Sequence, residues 1–273
     1  MNKYCFLNGK IIPLKKAKIS PLDLGFCRGY ALLEILRTYN GKIFGLDKHY
    51  EKLEKGAKFL KLRLISKDKI EKIIKKLIKL NKLKEAKIKI VLSGGVGKED
   101  LEIGKETIFI YAEKLKKLPE DFYKNGVKLI TRKYKREYFE YKIASYIEII
   151  RNKDLLKKQK AFNILYTYDN YVYECATANI FCFKGKNLIT PDKVLEGVTR
   201  YFVIKLAKND VNVFIRPLRF EELLKADEAF ITATTIDILP VVKIDNYKIN
   251  NGKVGEKTKF LMEKWKNFVN SQN

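Results

Sequence analysis

A single histidine, His49, leaves this chain almost no room for histidine-dependent chemistry: a serine–histidine–aspartate triad or an ordinary zinc site needs more imidazoles than one. The four cysteines, Cys5, Cys27, Cys175 and Cys182, are scattered without CxxC spacing and read as reduced thiols, so neither a metal site nor a disulfide framework is expected. No run approaches the about 18 consecutive apolar residues of a membrane helix. Nor does any segment near the start join a charged stretch, an apolar core and a small-residue cleavage site, so the expectation is no membrane association and a cytoplasmic location. Internal repeats and low-complexity tracts are missing too, beyond richness in lysine.

Acidic residues are the scarce charge. Against 57 Lys and Arg stand 32 Asp and Glu, for a net charge of +25. Such an excess attracts phosphate backbones. Here, though, the lysines are spread along amphipathic stretches such as 67–84 instead of clustering with aromatics, and no nucleic-acid-binding module is recognisable; no nucleic-acid partner is expected. Lysine and glutamate enrichment also accompanies growth at high temperature. With 46% hydrophobic residues in 273, the chain has ample material for one large core or two modest ones.

The pattern along the chain is mixed. Residues 4–7 and 10–12 flank Asn8-Gly9, and 33–39 and 43–44 flank Asn40-Gly41, two hairpin signatures. Asp47 is a plausible N-cap for a helix with Leu46, Tyr50, Leu53 and Ala57 on one face, and Ile70, Ile73, Ile74 and Leu77 mark a second. Strands are expected at 88–92 and 108–111. A polar stretch broken by Pro119 suggests a linker. The expected organisation is a small α+β domain over 1–115, a linker over 116–123 and a larger domain over 124–273. In the latter, strands are expected at 127–130, 161–167, 171–173, 180–183, 211–215 and 228–232, and helices at 143–156, 201–208 and 255–268.

Two residues in that larger part pair chemically. Lys142 sits in Glu140-Tyr141-Lys142-Ile143-Ala144-Ser145-Tyr146, and Glu174, 32 residues on, opens Glu174-Cys175-Ala176-Thr177-Ala178-Asn179-Ile180-Phe181. A lysine amine holds an aldehyde cofactor as a Schiff base and shuttles a substrate's α-proton, while a carboxylate against a pyridine nitrogen makes the ring an electron sink. Taken alone, a lysine in so basic a chain is far more often a solvated surface charge.

A wider series of motifs changes those odds. The segment 174–181, followed by Leu188-Ile189-Thr190-Pro191, then Leu195-Glu196-Gly197-Val198-Thr199-Arg200, then Phe230-Ile231-Thr232-Ala233-Thr234-Thr235 with Pro240-Val241 and Gly252-Lys253-Val254-Gly255, closely resembles the class IV aminotransferases. The resemblance covers nearly the whole chain. It implies a two-domain α+β and α/β architecture of the fold-type IV, D-amino acid aminotransferase-like kind, pyridoxal 5'-phosphate as cofactor, amino acids and 2-oxo acids as substrates, and a homodimer. It makes Lys142 the catalytic Schiff-base lysine and Glu174 the partner of the pyridine nitrogen. The phosphate falls to Gly197, Val198 and Thr199 at the start of an expected helix, where backbone N–H groups and the helix dipole favour an anion. Thr234 is a second phosphate-binding hydroxyl, and Leu195 packs on the ring.

The chain departs from the family's pattern in two places. Lys52, in His49-Tyr50-Glu51-Lys52-Leu53, stands where the family has a phosphate-binding arginine; it keeps the charge and loses the bidentate fork. In the segment 23–37 the family's usual Asp-Arg-Gly and Gly-Asp-Gly are altered by Leu24, Tyr30, Ala31 and Leu33, which implies a changed substrate side. Arg28, Arg37 and Thr235 are the candidate substrate-binding residues. The loop 94–101 lacks the Arg-x-His carboxylate trap of D-amino acid enzymes, and Arg28 is a candidate replacement, clamping an α-carboxylate by a fork–fork pair; the alternative is a structural pairing with Asp23 or Glu34. The reading is an aminotransferase, D-amino acids slightly ahead of branched-chain L-amino acids, with 2-oxoglutarate or pyruvate as acceptor. The rivals are a 4-amino-4-deoxychorismate lyase and a non-catalytic binding protein on the same fold.

Overall fold

The computed structural model describes residues 3–271. They form two compact units, the chain up to Lys116 together with Tyr141–Ser145, and Lys117–Glu140 together with the chain from Tyr146 onward.

Among the described residues, the first unit holds a six-stranded antiparallel sheet in the spatial order Lys10–Pro13, Tyr4–Leu7, Lys105–Lys114, Ala86–Val96, Ala31–Tyr39, Lys42–Ile43. Both expected hairpins form. Asn8 (φ 46°) with Gly9 (φ 95°), and Asn40 (φ 49°) with Gly41 (φ 79°), put both central turn residues at positive φ, the twist-matched hairpin geometry that Asn-Gly accepts at low cost. The helices Leu46–Phe59 and Lys67–Leu80 supply Leu53, Ala57, Ile70 and Leu77 to a core shared with Leu36 and Ile88 of the sheet. Asp47 is not the N-cap. Gly45, in the left-handed region at φ 59°, precedes the helix, and Asp47 lies in the first turn, where the dipole favours a carboxylate and Lys67 pairs with it.

Residues 141–145 do not begin a helix. Leu33 N–H donates to the Lys142 carbonyl at 3.0 Å, Ala144 N–H donates to the Ala31 carbonyl at 2.8 Å, and Ile143 bridges Leu32. The short strand Lys42–Ile43 reaches only Thr38 and Tyr39, so the other end of Ala31–Tyr39 has backbone groups to satisfy, and 142–144 satisfy them. Helix starts later, as the short segments Ile147–Arg151 and Lys153–Lys158.

The second unit is built on a ten-stranded mixed sheet. Its order is Asn212–Ile215, Asn187–Thr190, Asn179–Lys184, Glu228–Ala233, Asp237–Ile244, Val127–Lys133, Asn163–Tyr168, Tyr171–Cys175, Leu218–Arg219, with Tyr247–Lys248 beside Asp237–Ile244. One face carries a core of Ile180, Cys182, Ile189, Ile231 and Leu239. On the other face Glu228 reaches the backbone and hydroxyl of Thr258 in the helix Glu256–Ser271, at 2.7 Å each, so even-numbered positions of Glu228–Ala233 look toward the helices. The helix Val198–Ala207 packs on that strand and on Glu256–Ser271. The strand Asp237–Ile244 is not among the sequence expectations; it carries Pro240, a residue seldom found inside a sheet, opposite Phe230. The stretch 116–123 is not wholly irregular either: the helix Glu120–Asn125 starts inside it after Pro119 and ends at Gly126, φ 72°. No helix among the described residues is long and apolar enough to cross a membrane.

Candidate active site

Lys142 belongs to the first unit. Its carbonyl accepts from Leu33 N–H and its neighbour Ala144 donates to the Ala31 carbonyl, which fixes where the Lys142 side chain starts, and the residue is half-buried. Lys142 acts electrostatically on a buried group of the same unit, Glu34, which is 1% exposed. One oxygen of Glu34, Oε1, accepts from the Ile35 N–H at 3.2 Å, meets His49 Nδ1 at 2.7 Å and lies 3.2 Å from Lys52 Nζ; the other, Oε2, is buried without a hydrogen-bond partner.

Burial alone would push the Glu34 carboxyl up. The charges of Lys52 and Lys142 and the hydrogen bond from His49 outweigh it and bring the value down to about 2. His49, 1% exposed, is pushed below its ordinary value, chiefly by burial, against the pull of Glu34. Lys52 is therefore not a solvated helical lysine: its side chain is 10% exposed and committed to Glu34.

The remaining first-unit candidates lie apart from this cluster in character. Arg37 is buried, its guanidinium 3.9 Å from the centre of the Tyr39 ring. Arg28 pairs with neither Asp23 nor Glu34: its NH2 donates to both oxygens of Asp100, at 2.9 and 3.1 Å, in a pair exposed to 48% and 71%. Asp23 instead caps the short helix Leu24–Cys27, accepting from Gly25 N–H at 2.7 Å and from Ser93 Oγ at 2.8 Å.

The second unit carries the rest. Glu174, on the strand Tyr171–Cys175, is 3% exposed, and its Oε1 lies 3.4 Å from Arg136 Nε. Arg136 also donates to the Ala176 carbonyl at 3.2 Å, so it straddles the turn that follows Glu174. Sequence reasoning missed Arg136. Its only signal was a place six residues before Lys142, in a stretch crowded with basic residues. Beside this pair is Tyr166, 4% exposed, whose hydroxyl burial holds strongly in the protonated form.

The helix Val198–Ala207 starts where its motif suggests. Gly197 is its N-cap and offers no side chain, so the first-turn N–H groups have no intrahelical acceptor and no cap. Only glycine fits: a Cβ there would fall 2.2 Å from Asn179 Oδ1. Asn179 in turn donates from Nδ2 to the Leu195 carbonyl at 2.8 Å, tying the approach to the helix onto the sheet. Leu195, Val198 and Thr199 are buried; Thr234 and Thr235 are half-buried in the turn between Glu228–Ala233 and Asp237–Ile244. Thr232, just before them on the strand, is 1% exposed and its Oγ1 has no partner.

An open helix start, a close-approach glycine and an unpartnered hydroxyl suit a phosphate, and a buried carboxylate suits a protonated ring nitrogen, so the donor set of this unit fits a phosphorylated pyridine cofactor.

Residues 31–244 match the family described as amino-transferase class IV. A putative branched-chain-amino-acid aminotransferase of Methanocaldococcus jannaschii is 35% identical over 277 residues, covering 96% of this chain and 94% of that protein. The aminodeoxychorismate lyase of Bacillus subtilis is 31% identical over 274 residues, covering 95% and 93%. Among solved structures, the branched-chain amino acid aminotransferase of Thermobaculum terrenum in its PLP form has the same fold, with a TM-score of 0.87 at 22% identity over 100% of this chain and 95% of that one.

Proposed function

The chain belongs to the class IV aminotransferases, pyridoxal phosphate-dependent enzymes, and from that premise we propose that it moves an amino group between an amino acid and a 2-oxo acid, with Lys142 as its catalytic lysine. The observation that carries the reading is the uncapped start of Val198–Ala207 behind Gly197, together with the buried Glu174 in the same unit.

Bound pyridoxal phosphate supplies an aldehyde that captures amines and a ring that takes up the electron pair left when a proton leaves the α-carbon. The chain's own groups do the rest. Lys142 Nζ would hold the cofactor, take the α-proton from the bound amino acid and return it, and the backbone bonds of 142–144 to Leu33 and Ala31 fix where that side chain starts. The N–H groups after Gly197 and the hydroxyls of Thr199 and Thr234 would hold the phosphate, and Leu195 would pack on the ring. Glu174 would face the ring nitrogen and keep it protonated, and Arg136, 3.4 Å away, would orient that carboxyl group. Lys52 pairs with Glu34, the buried carboxylate on which Lys142 also acts. Arg37 and Thr235 are the further substrate-side candidates.

Arg28 keeps D-amino acids first. An exposed ion pair is worth about 0–1 kcal/mol, so a substrate α-carboxylate displaces Asp100 from the Arg28 fork at small cost. A lyase reading is favoured by the Bacillus subtilis relative. Family membership leaves the non-catalytic alternative without support. The deciding experiment follows the absorption of the cofactor-loaded protein during single half-reactions with paired D- and L-amino acids. Formation of pyridoxamine phosphate with one enantiomer supports transamination and gives its handedness; pyruvate release from aminodeoxychorismate with no 2-oxo acid present supports the lyase instead.

A further inference from the structure

Among the described residues, Arg200 is a buried cation with no carboxylate paired to it. It lies in the first turn of Val198–Ala207 and is 6% exposed. Its Nε donates to Thr190 Oγ1 at 3.3 Å and its NH2 to the Pro191 carbonyl at 2.9 Å, both neutral acceptors. Among the described residues no carboxylate stands at ion-pair distance from it; Glu196, Glu174 and Asp192 act on it only at longer range. Burial presses its pKa below the ordinary value, yet a guanidinium stays charged at any working pH. Keeping such a charge out of water without a partner is costly, and structures rarely carry that cost unless something negative arrives.

The surroundings point to where it arrives. The same helix start is uncapped at Gly197, and a helix N-terminus is itself partially positive, so two unneutralised positive features coincide. Thr232 is opposite Asn179 in the antiparallel pair, so the two side chains share a face, and Asn179 on that face abuts Gly197. The unpartnered, 1%-exposed hydroxyl of Thr232 is therefore on the side of the sheet that looks at the helix start.

We propose that Arg200 is a positioning residue that supplies the counter-charge for the cofactor's phosphate, acting from behind the helix start so that the site selects a phosphorylated over an unphosphorylated pyridine ligand. The proposal rests on the reading of Gly197–Thr199 as the phosphate cradle. Arg200 does not grip the phosphate; it makes the amides of its own first turn a stronger anion holder and is held there by Thr190 and Pro191.

The test is equilibrium titration of the cofactor-free protein with pyridoxal phosphate, with pyridoxal, and with inorganic phosphate as competitor, in wild type, Arg200→Gln, Arg200→Lys and Thr190→Val. The expected result is a loss of about 10- to 100-fold in affinity for pyridoxal phosphate and for inorganic phosphate in Arg200→Gln, with pyridoxal unchanged. Arg200→Lys and Thr190→Val, which keep the charge and loosen the clamp, should hold phosphate affinity within about 3-fold of wild type. Equal losses for pyridoxal and pyridoxal phosphate in Arg200→Gln, or a loss in Thr190→Val as large as in Arg200→Gln, would make Arg200 a purely structural clamp and overturn the proposal. Should Arg200→Gln fail to fold, the Lys and Val variants decide: both must retain the wild-type preference for pyridoxal phosphate over pyridoxal. A wild-type protein that binds pyridoxal without any preference for its phosphate ester defeats the cradle itself, a separate failure visible before any variant is made.

Discussion

Glu34 Oε1 is shared: His49 Nδ1 meets it at 2.7 Å and Lys52 Nζ at 3.2 Å, all inside the first unit and with Glu34 and His49 each 1% exposed. A buried carboxylate with two such partners is stable only as a set, because removing one member strands the others.

The pH dependence of folding follows. Glu34 falls from an ordinary value of 4.5 to about 2 in the folded protein, so its contribution is present above about pH 4.5 and is lost as pH falls toward 2. That shift corresponds to on the order of 3 kcal/mol. His49 is also lowered, by burial; the unfolded chain takes up its proton first, so stability begins to fall below about pH 6.5. Both act in the same direction, toward acid lability. Urea unfolding of Glu34→Gln across pH 2 to 7 should show a weaker protein at neutral pH and a flatter profile below pH 4.5; an unchanged slope there would remove Glu34 from the account.

Lys52→Met should cost about 3 kcal/mol or more, since it leaves Glu34 short of a cation, whereas Lys52→Arg should fold at near wild-type stability. Thermal melting of the two variants separates this from a surface role, for which both changes would be nearly silent.

Lys142→Ala should reduce turnover by about 10⁴-fold or more while leaving melting close to wild type, because the contacts that hold this segment come from its backbone. Retained turnover would move the chemistry to another residue.

Gly197→Ala drives a methyl into Asn179 Oδ1, where only 2.2 Å is available. A loss of about 1–3 kcal/mol in stability is expected, with weaker cofactor binding. The double variant Gly197→Ala with Asn179→Ala should recover part of the stability; if the two losses simply add, the close approach is not their cause.

Arg136→Gln should leave Glu174 in place but less well oriented. The signature is a changed pH dependence of the bound cofactor's absorption, with phosphate-dependent affinity retained. A profile identical to wild type would make Arg136 a bystander.

Much of the fold was legible because local chemistry and tertiary context agreed. Asn8-Gly9 and Asn40-Gly41 demanded positive φ and received it, and the spacing of Ile70, Ile73, Ile74 and Leu77 gave a helix whose buried face is that set. The failures share a cause. For 143–145 the local pattern favoured helix, and a strand more than 100 residues earlier in the chain overrode it. In Asp237–Ile244, Pro240 concealed a central strand. On the site, the glycine of the Gly197 motif could be read from sequence, but the reason for it, the oxygen of Asn179, could not. Arg136 and the charge cluster around Glu34 depend on which of many basic side chains is buried, and a chain with 57 of them does not announce that.

The way Lys142 is anchored also dictates an order of assembly. The strand Ala31–Tyr39 leaves the ribosome early, yet the segment that completes it at Ala31 and Leu33 emerges only after residues 117–140, which belong to the other unit. During synthesis the nascent first unit must wait with a gap in its sheet. Lys142, proposed as the catalytic lysine, is thus the last piece fitted to that sheet, and a fragment cut at Lys116 would be a protein missing a stitch as well as that lysine.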